Sequence, residues 1–419
     1  MRTLRAFVCF LAVATTAALA ASGGSGGAPC TTDLDCQLNG ACTSNLCVCN
    51  AAWAGANCST LNLQPAALRN GYSSLGANTS SWGAGIAFDP VAQQYIMFND
   101  EMNQHCGLGT WGANSHCVLS TSATAAGPYA KQQVVLDSWC HGSSVARDPV
   151  SGRYVFQHMS NAAPKAQCTQ CSSGVTPPGA PMGPCDASGV AAYTPLALLA
   201  SSPLGPYAPA PRFLNGGNCE TFFRPNGSVV VACPWGGRSN DPACTQAAFL
   251  TVSTAPHLDA ALAGNWTHLP LTYLPAGSAS GTVCMNWEDQ NIWVDTRGYF
   301  HTLMHAFRGQ NTSYPLPGCT NTGNGPFSPA GCTSLGGHGY SLDGSLWYIS
   351  PVPAYTSAVE YVDGTVVHFR ARERPHLIFD SAGEPTHLVS AVGNPGPGGN
   401  TGVSGQDHTF TLIQPLGVQ

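Results

Sequence analysis

Charge is scarce in this chain. Of its 419 residues only 9% are Asp, Glu, Lys or Arg, and 15 Lys plus Arg against 21 Asp plus Glu leave a formal net charge of -6. Basic residues so few and so thinly spread form no cationic face for nucleic acid or an anionic membrane. Apolar runs are short as well: beyond the first twenty residues nothing approaches the roughly 18 consecutive apolar residues of a membrane span. The chain also lacks a Gly-x-Ser-x-Gly elbow, a P-loop and a dinucleotide fingerprint, which removes support for serine-hydrolase and nucleotide chemistry. No cofactor and no metal is expected.

Glycine, proline and cysteine are abundant instead, with 48 Gly, 32 Pro and 19 Cys, the usage of a loop-rich, all-β protein rather than a helical one. Residues 1–20 carry Arg2 and Arg5, then an apolar run from Ala6 ending in Ala18-Leu19-Ala20, the pattern of a secretory signal peptide. Secretion to a cell wall or matrix is the expectation. Removing Cys9 with that leader leaves an even cysteine count, which in an exported chain points to disulfides. Cys168-Thr169-Gln170-Cys171 sits in a Pro/Gly/Ser-rich stretch and is read the same way rather than as zinc or redox chemistry. Asn57, Asn78, Asn226, Asn265 and Asn311 each open an Asn-x-Ser/Thr glycosylation acceptor. Residues 21–29 form a Gly/Ser-rich linker.

From there to the C-terminus, five segments share one plan: an apolar strand, a polar turn and a returning strand. The turns are Asp89-Pro90, Asp148-Pro149-Val150-Ser151-Gly152, Pro225-Asn226-Gly227, Asp295-Thr296-Arg297-Gly298 and Asp380-Ser381-Ala382-Gly383. They recur at roughly 60 to 85 residues, room for one four-stranded blade plus loops, so residues 70–415 read as a five-bladed β-propeller. Paired antiparallel strands share their length, so residues opening the first strand meet those closing the second, opposite the turn. That gathers Trp82, Asp100, Glu101, His141, His158, Glu220, Trp235, Glu288, Asp289, His305, Glu373 and His387 at one mouth. Carboxylates, imidazoles and indoles dominate the set.

The spacing Cys30-x5-Cys36-x5-Cys42-x4-Cys47-x-Cys49-x8-Cys58 resembles an EGF-like domain over residues 30–58. Six cysteines permit 15 pairings; the resemblance implies Cys30 to Cys42, Cys36 to Cys47 and Cys49 to Cys58. It also implies a spacer or a protein-contact module. Its calcium-binding subtype carries acidic residues before the first cysteine, whereas Gly26-Gly27-Ala28-Pro29 stands here.

A second signature marks the outer strands. Val118-Leu119-Ser120-Thr121-Ser122 leads to Gly127-Pro128-Tyr129, and Ala197-Leu198-Leu199-Ala200-Ser201-Ser202 leads to Gly205-Pro206-Tyr207. Five blades with such outer hairpins resemble the five-bladed glycosidases, glycoside hydrolase family 43 above all, and the resemblance implies carbohydrate as substrate or ligand. Glycoside hydrolysis needs two carboxyl groups, one protonated and one ionised. By this resemblance Glu288, opening the fourth blade, is the general acid and Glu220, opening the third, the carboxylate that tunes it. An Asp implied on the first strand of blade one is missing from Ser81-Trp82-Gly83-Ala84-Gly85. Glu101 either substitutes as base or nucleophile, or orders a loop through hydrogen bonds.

Around these, Trp82, Trp235 and Trp287 are candidates to stack on sugar rings, with His141, His305 and His338 hydrogen-bonding ligand or carboxylate. Asp289 falls on the other side of an alternating strand unless a bulge intervenes, and is held as a substrate-binding candidate. Glu373, between Arg372 and Arg374, reads as a structural salt-bridge partner. His301 and His305 lie about 13 Å apart on one strand, too far to chelate one ion. The sequence thus describes a secreted glycan-recognising propeller with a two-carboxylate site for hydrolysis, or alternatively a catalytically inactive lectin or adhesion protein, which the missing Asp of blade one favours.

Overall fold

The structure, a computed structural model, describes residues 26–72, 78–136, 140–160, 171, 194–235, 249–279, 287–306, 335–369, 371–393 and 407–417. Residues 1–20, expected to be a signal peptide, Cys168, and the side chains of Trp235 and Trp287 lie outside that set. The N-terminal segment holds two short hairpins, β1 (Gly40–Thr43) with β2 (Leu46–Cys49) and β3 (Trp53–Ala54) with β4 (Thr60–Leu61). Disulfides join Cys30 to Cys42, Cys36 to Cys47 and Cys49 to Cys58.

Five blades follow. Blade one is β5 (Ser80–Asp89), β6 (Gln94–Met102), β7 (Ser115–Ser122) and β8 (Ala130–Leu136). Blade two is β9 (His141–Arg147), β10 (Tyr154–Ser160), β11 (Thr194–Ala200) and β12 (Ala208–Pro209), and blade three is β13 (Glu220–Phe223), β14 (Val229–Trp235), β15 (Phe249–Ala255) and β16 (Thr267–His268). After β17 (Thr272–Pro275), blade four is β18 (Trp287–Val294), β19 (Phe300–Ala306), β20 (Leu335–Ser341) and β21 (Leu346–Ile349), with β17 added in parallel beside β21. A hairpin of β22 (Ala358–Glu360) and β23 (Val366–His368) precedes blade five, β24 (Arg372–Phe379), β25 (Pro385–Gly393) and β26 (Thr409–Pro415). The protein is an all-β, five-bladed propeller.

One local device makes all five inner hairpins. Asp89, Asp148, Asn226, Asp295 and Asp380 each accept, on side-chain Oδ1, the backbone N–H two residues on, at 2.8 to 3.1 Å, the Asx turn that these residue types favour. Between blades lie apolar seams. Phe98 and Ile96 pack on Val145 and Phe156; Val155 on Phe223 and Val229; Val230 on Ile292 and Trp347; Val389 and Ile413 on Ile86 and Met97. The ring closes chain end to chain end, with Tyr72 bridging Thr411 and Leu63 bridging Leu416 beside β26.

The seam between blades four and five contains the N-terminal segment. Trp53, 2% exposed, shares one core with Trp293, Leu303, Leu377 and Leu388 and packs its ring 4.8 Å from His338. Arg297, in the β18–β19 turn, donates to the carbonyls of Leu38 and Gly40 and pairs with Asp33 at 3.4 Å. The contact therefore sits at the turn end of blade four, away from Glu288 and His305 at the other end. Strand lengths correct one reading. Because β25 runs on to Gly393 and pairs His387 with Ile378, His387 stands near the turn and not at the mouth.

Since Trp53 fills the same core as two blades, Trp53→Ala is expected to lower the stability of the whole protein by about 3–5 kcal/mol. Calorimetry should show one transition at a lower midpoint; a separate early melt with the propeller midpoint unchanged would contradict the shared core.

Candidate functional site

At the mouth end of each blade's first strand, within it or, for Asn218, two residues before it, stands a residue in the left-handed region: Gly83 (φ 77°), Gly142 (61°), Asn218 (47°), Asp289 (56°) and Arg374 (51°). Three of these positions coincide with β-bulges, between Ser81 and Ala84, Glu288 and Asn291, and Glu373 and His376. A bulge breaks strict alternation and re-aims a side chain. The five meet one another, with Arg374 touching Asn218 and Asp289 and lying close against Gly83 and Gly142.

Its guanidinium reaches three other blades. Nη1 donates to Asn218 Oδ1 at 3.1 Å and lies 3.1 Å from Asp289 Oδ1; Nη2 donates to His141 Nε2 at 2.7 Å. Blade one contributes space. A Cβ on Gly83 would stand 2.6 Å from Arg374 Cδ, and one on Gly142 only 2.2 Å from Asn218 Oδ1, so both must be glycine. Because His141 Nε2 accepts from Arg374, its proton resides on Nδ1, which donates to Asp100 Oδ2 at 3.2 Å; Ser143 donates to the other Asp100 oxygen at 3.1 Å. Burial and then Arg374 push the His141 pKa down, keeping the ring neutral.

The bulge at Asp289 decides the chemistry. It turns Asp289 to the same side as Glu288, so that Glu288, Asp289, His305 and Glu373 place ligand atoms within 4.8 Å of one another. His305 Nδ1 is 3.7 Å from Glu288 Oε1 and 3.7 Å from Glu373 Oε2. Burial lifts Asp289 to about 7, an effect Arg374 opposes and the charge on Glu288 reinforces. Burial likewise raises Glu373. At Glu288, whose side chain is 37% exposed, burial works against ionisation, but His305, Arg374 and His141 outweigh it and hold the carboxyl below the usual range. Burial disfavours charge on His305, yet Glu373, Glu288 and Asp289 raise its pKa. These four groups are near enough to hold a metal ion, and the Arg374 guanidinium stands beside them, 3.1 Å from Asp289.

A cleft opens on the axis beside them, lined by Ala84, Asn218, Glu220, Asp289, Arg374 and His376 among others. Glu220 Oε1 is 3.1 Å from His376 Nδ1, and this contact raises His376 against the effect of its burial.

Several sequence expectations are corrected. Glu101 points away from the mouth: its carboxylate accepts from His116 at 2.8 Å, from Lys131 at 2.7 Å and from the Tyr72 hydroxyl. Burial resists its ionisation, but those donors lower its pKa to about 2. Since successive side chains of a strand alternate, Asp100 is the blade-one carboxylate that faces His141. Trp82, 4% exposed among Met102, Cys106, Ala371 and Ala391, is a core residue whose faces are covered. His338 is fully buried between Trp53, His301 and Tyr340, joining the N-terminal segment to blade four. Glu373 faces His305 rather than its neighbouring arginines, and Arg372 is held by Ser390, Gln414 and the carbonyls of Thr356 and Ala358. Trp235 and Trp287 end β14 and begin β18. Sequence reasoning passed over Arg374 and Asn218, although both adjoin first-strand carboxylates it had singled out.

No family model and no curated protein matches the chain. Among solved structures, a xylan β-1,4-xylosidase from Bacillus halodurans is 11% identical with a TM-score of 0.48, covering 84% of this chain and 54% of its own. Zg3597, a family 117 glycoside hydrolase from the marine bacterium Zobellia galactanivorans, is 10% identical with a TM-score of 0.47, covering 86% and 90%. An endo-arabinase from Bacteroides thetaiotaomicron is 11% identical with a TM-score of 0.43, covering 85% and 99%. Likeness this slight assigns no family.

The buried pairing of Arg374 with Asp289 carries its own prediction. Above pH 7, where Asp289 is ionised, Arg374→Met should cost about 3–5 kcal/mol by leaving that carboxylate uncompensated, and adding Asp289→Asn should return part of that loss. Urea titration of the single and double variants measures both; a single variant as stable as the parent would refute the pairing.

Proposed function

We propose that this protein is a secreted glycoside hydrolase of the two-carboxylate kind, with Asp289 as the proton donor and Glu288 as the ionised partner. The observation that supports it most is the opposite protonation imposed on adjacent carboxyls: burial raises Asp289 to about 7 while His305 holds Glu288 below the usual range. Two titratable groups driven apart by their surroundings are the mark of an acid and base assignment. This moves the acid from Glu288, its place in the sequence reading, to Asp289, a substrate-binding candidate there, and gives Glu288 the role that Glu101 held. Glu220 lines the same cleft as Asp289 and pairs with His376.

In this mechanism a sugar lies at the mouth, over Asp289 and the solvent-facing side of Glu288. Asp289 gives its proton to the glycosidic oxygen as the bond from that oxygen to C1 breaks, and the Glu288 carboxylate bonds to C1. Asp289, now ionised, takes a proton from water as that water attacks C1 and releases Glu288. The close approach of the two carboxyls, within 4.8 Å at their nearest atoms, suits the roughly 5–5.5 Å spacing of a retaining enzyme rather than the wider gap of an inverting one. Residues 1–20 direct export, residues 30–58 form an EGF-like module open to protein contact, and Asn57, Asn78, Asn226, Asn265 and Asn311 are its glycan acceptors.

A second reading, a glycan-binding protein without turnover, is favoured by one feature: blade one offers Gly83 where a carboxylate would complete the site, and Arg374 fills that space.

Activity on a panel of plant, algal and fungal polysaccharides tests the proposal. The wild-type protein should release reducing sugar with retention, with activity falling as the pH rises through about 7 because Asp289 then loses its proton. Asp289→Asn should reduce turnover by about 10²–10⁴-fold, and Glu288→Gln should abolish it. Equal turnover by wild type and Asp289→Asn would overturn the assignment. Binding without turnover would establish the second reading.

A further inference from the structure

A buried cation is costly unless opposing charge surrounds it, and the carboxyl group in contact with Arg374 is Asp289, 3.1 Å away. Asp289 is uncharged whenever it holds the proton it is to deliver. Arg374 then needs its balance from elsewhere. Glu288 and Glu373 each stand 3.7 Å from His305, which already draws on both. Asp100 of blade one is placed differently. It is fully buried, with Oδ1 accepting from Ser143 at 3.1 Å and Oδ2 from His141 Nδ1 at 3.2 Å. Burial opposes the charge on Arg374; Asp289 and then Asp100 do most to uphold it, ahead of Glu288 and Glu373.

The link between Asp100 and Arg374 runs through one imidazole. A guanidinium only donates and a carboxylate only accepts, so a ring joining them must accept on one nitrogen and donate from the other. His141 does this in its neutral form, with Nε2 accepting from Arg374 Nη2 at 2.7 Å and Nδ1 turned to Asp100. The Trp111 ring, stacked with its centroid 4.3 Å from that of His141, helps fix the plane of the imidazole. Other titratable groups nearby do not replace Asp100. His158 feels the same carboxyl group, but burial pushes its pKa down to about 4, so it adds no charge near neutrality. Glu220 and His376 pair with each other at 3.1 Å, burial keeps the Tyr355 hydroxyl protonated, and Glu101 is taken by His116, Lys131 and Tyr72.

We infer that Asp100 is a positioning residue of the acid chemistry: bridged to Arg374 by His141, it is the second counter-charge of the guanidinium, the one that remains while Asp289 holds its proton. This rests on the hydrolase reading above, with Asp289 as the proton donor. Asp100 touches no reacting atom and acts through His141 and Arg374. Without its charge, Arg374 draws its balance from Asp289. Removing a negative charge favours the ionised form of a neighbouring carboxyl group, so Asp289 then loses its proton at lower pH and is spent as an acid sooner. Blades one and two thereby set the working range of an acid that stands on blade four.

Carboxyl carbon NMR of protein labelled at Asp and Glu tests this without requiring turnover, the Asp289 resonance being identified by its loss in Asp289→Asn. Asp100→Asn keeps an acceptor toward His141 and removes the charge. The Asp289 midpoint, and the pH at which hydrolysis falls, should both move about one pH unit lower, a tenfold loss of proton affinity. Ser143→Ala takes a hydrogen bond from Asp100 but leaves the charge, and should leave the midpoint where it is. Asp100→Ser is a second neutral variant should Asp100→Asn fold poorly, and long-range proton–nitrogen correlation on the wild-type protein should find the His141 proton on Nδ1. An Asp289 midpoint that stays or rises in the neutral variants, an equal fall in Ser143→Ala, or a His141 proton on Nε2 would overturn the counter-charge. Full hydrolysis by Asp289→Asn, or none by the wild type, together with a lowered midpoint in Asp100→Asn would overturn the hydrolase reading and leave the counter-charge standing. Hydrolysis lost in Asp289→Asn with an unmoved midpoint in Asp100→Asn would do the reverse.

Discussion

Everything at the mouth depends on one guanidinium that reaches three other blades. Five first strands converge there, each bringing, within it or just before it, a residue in the left-handed region, and the identities around the ring are Gly, Gly, Asn, Asp and Arg. The two glycines are spatial necessities and the other three are charge and hydrogen-bond partners of one another. A cation buried this deeply is costly unless opposing charge and acceptors surround it. Asp289, Asn218 and His141 provide that surround, which fixes the direction of each side chain and helps keep His141 neutral. The ring thus sets the geometry, whereas the acid and base asymmetry beside it stands against the pull of Arg374, which lowers the Asp289 pKa.

That asymmetry follows from burial more than from any single partner. Glu288 and Asp289 are neighbours in sequence and near neighbours in space, yet Glu288 keeps one side toward solvent and faces His305, while Asp289 is enclosed. Of two like charges so close, only one ionises readily. The more exposed one takes the charge. Glu373 behind them adds to the same pressure, which is why a residue framed by two arginines in sequence belongs to a carboxylate cluster in space.

The fold was legible in sequence because its determinants are local. Polar turns recur at blade spacing, and Asp89, Asp148, Asn226, Asp295 and Asp380 each shape their own turn through their own side chain. Reading which strand ends share a face also gathered Asp100, His141, Glu220, Glu288, Asp289, His305 and Glu373 correctly at one end. What sequence could not supply was side-chain direction at a bulge: alternation sends Asp289 away from Glu288, and only the left-handed turn at Asp289 reverses that. The sequence reading gathered Asp100 and Glu101 alike at the mouth and chose Glu101; the structure turns Asp100 to His141 and Glu101 to His116, Lys131 and Tyr72. His338 was assigned to the mouth because a buried histidine on a third strand carries no sign of what covers it; Trp53, almost three hundred residues earlier, does.

The central claim is that Asp289 and Glu288 hold opposite protonation near neutral pH, and carboxyl carbon NMR of protein labelled at Asp and Glu measures it most directly. The account predicts an Asp289 resonance, identified by its loss in Asp289→Asn, that titrates near 7, together with a Glu288 resonance already ionised below the usual range for glutamate. An Asp289 resonance that titrates at the ordinary aspartate value near 3.9, or a Glu288 resonance that remains protonated at neutral pH, would contradict it.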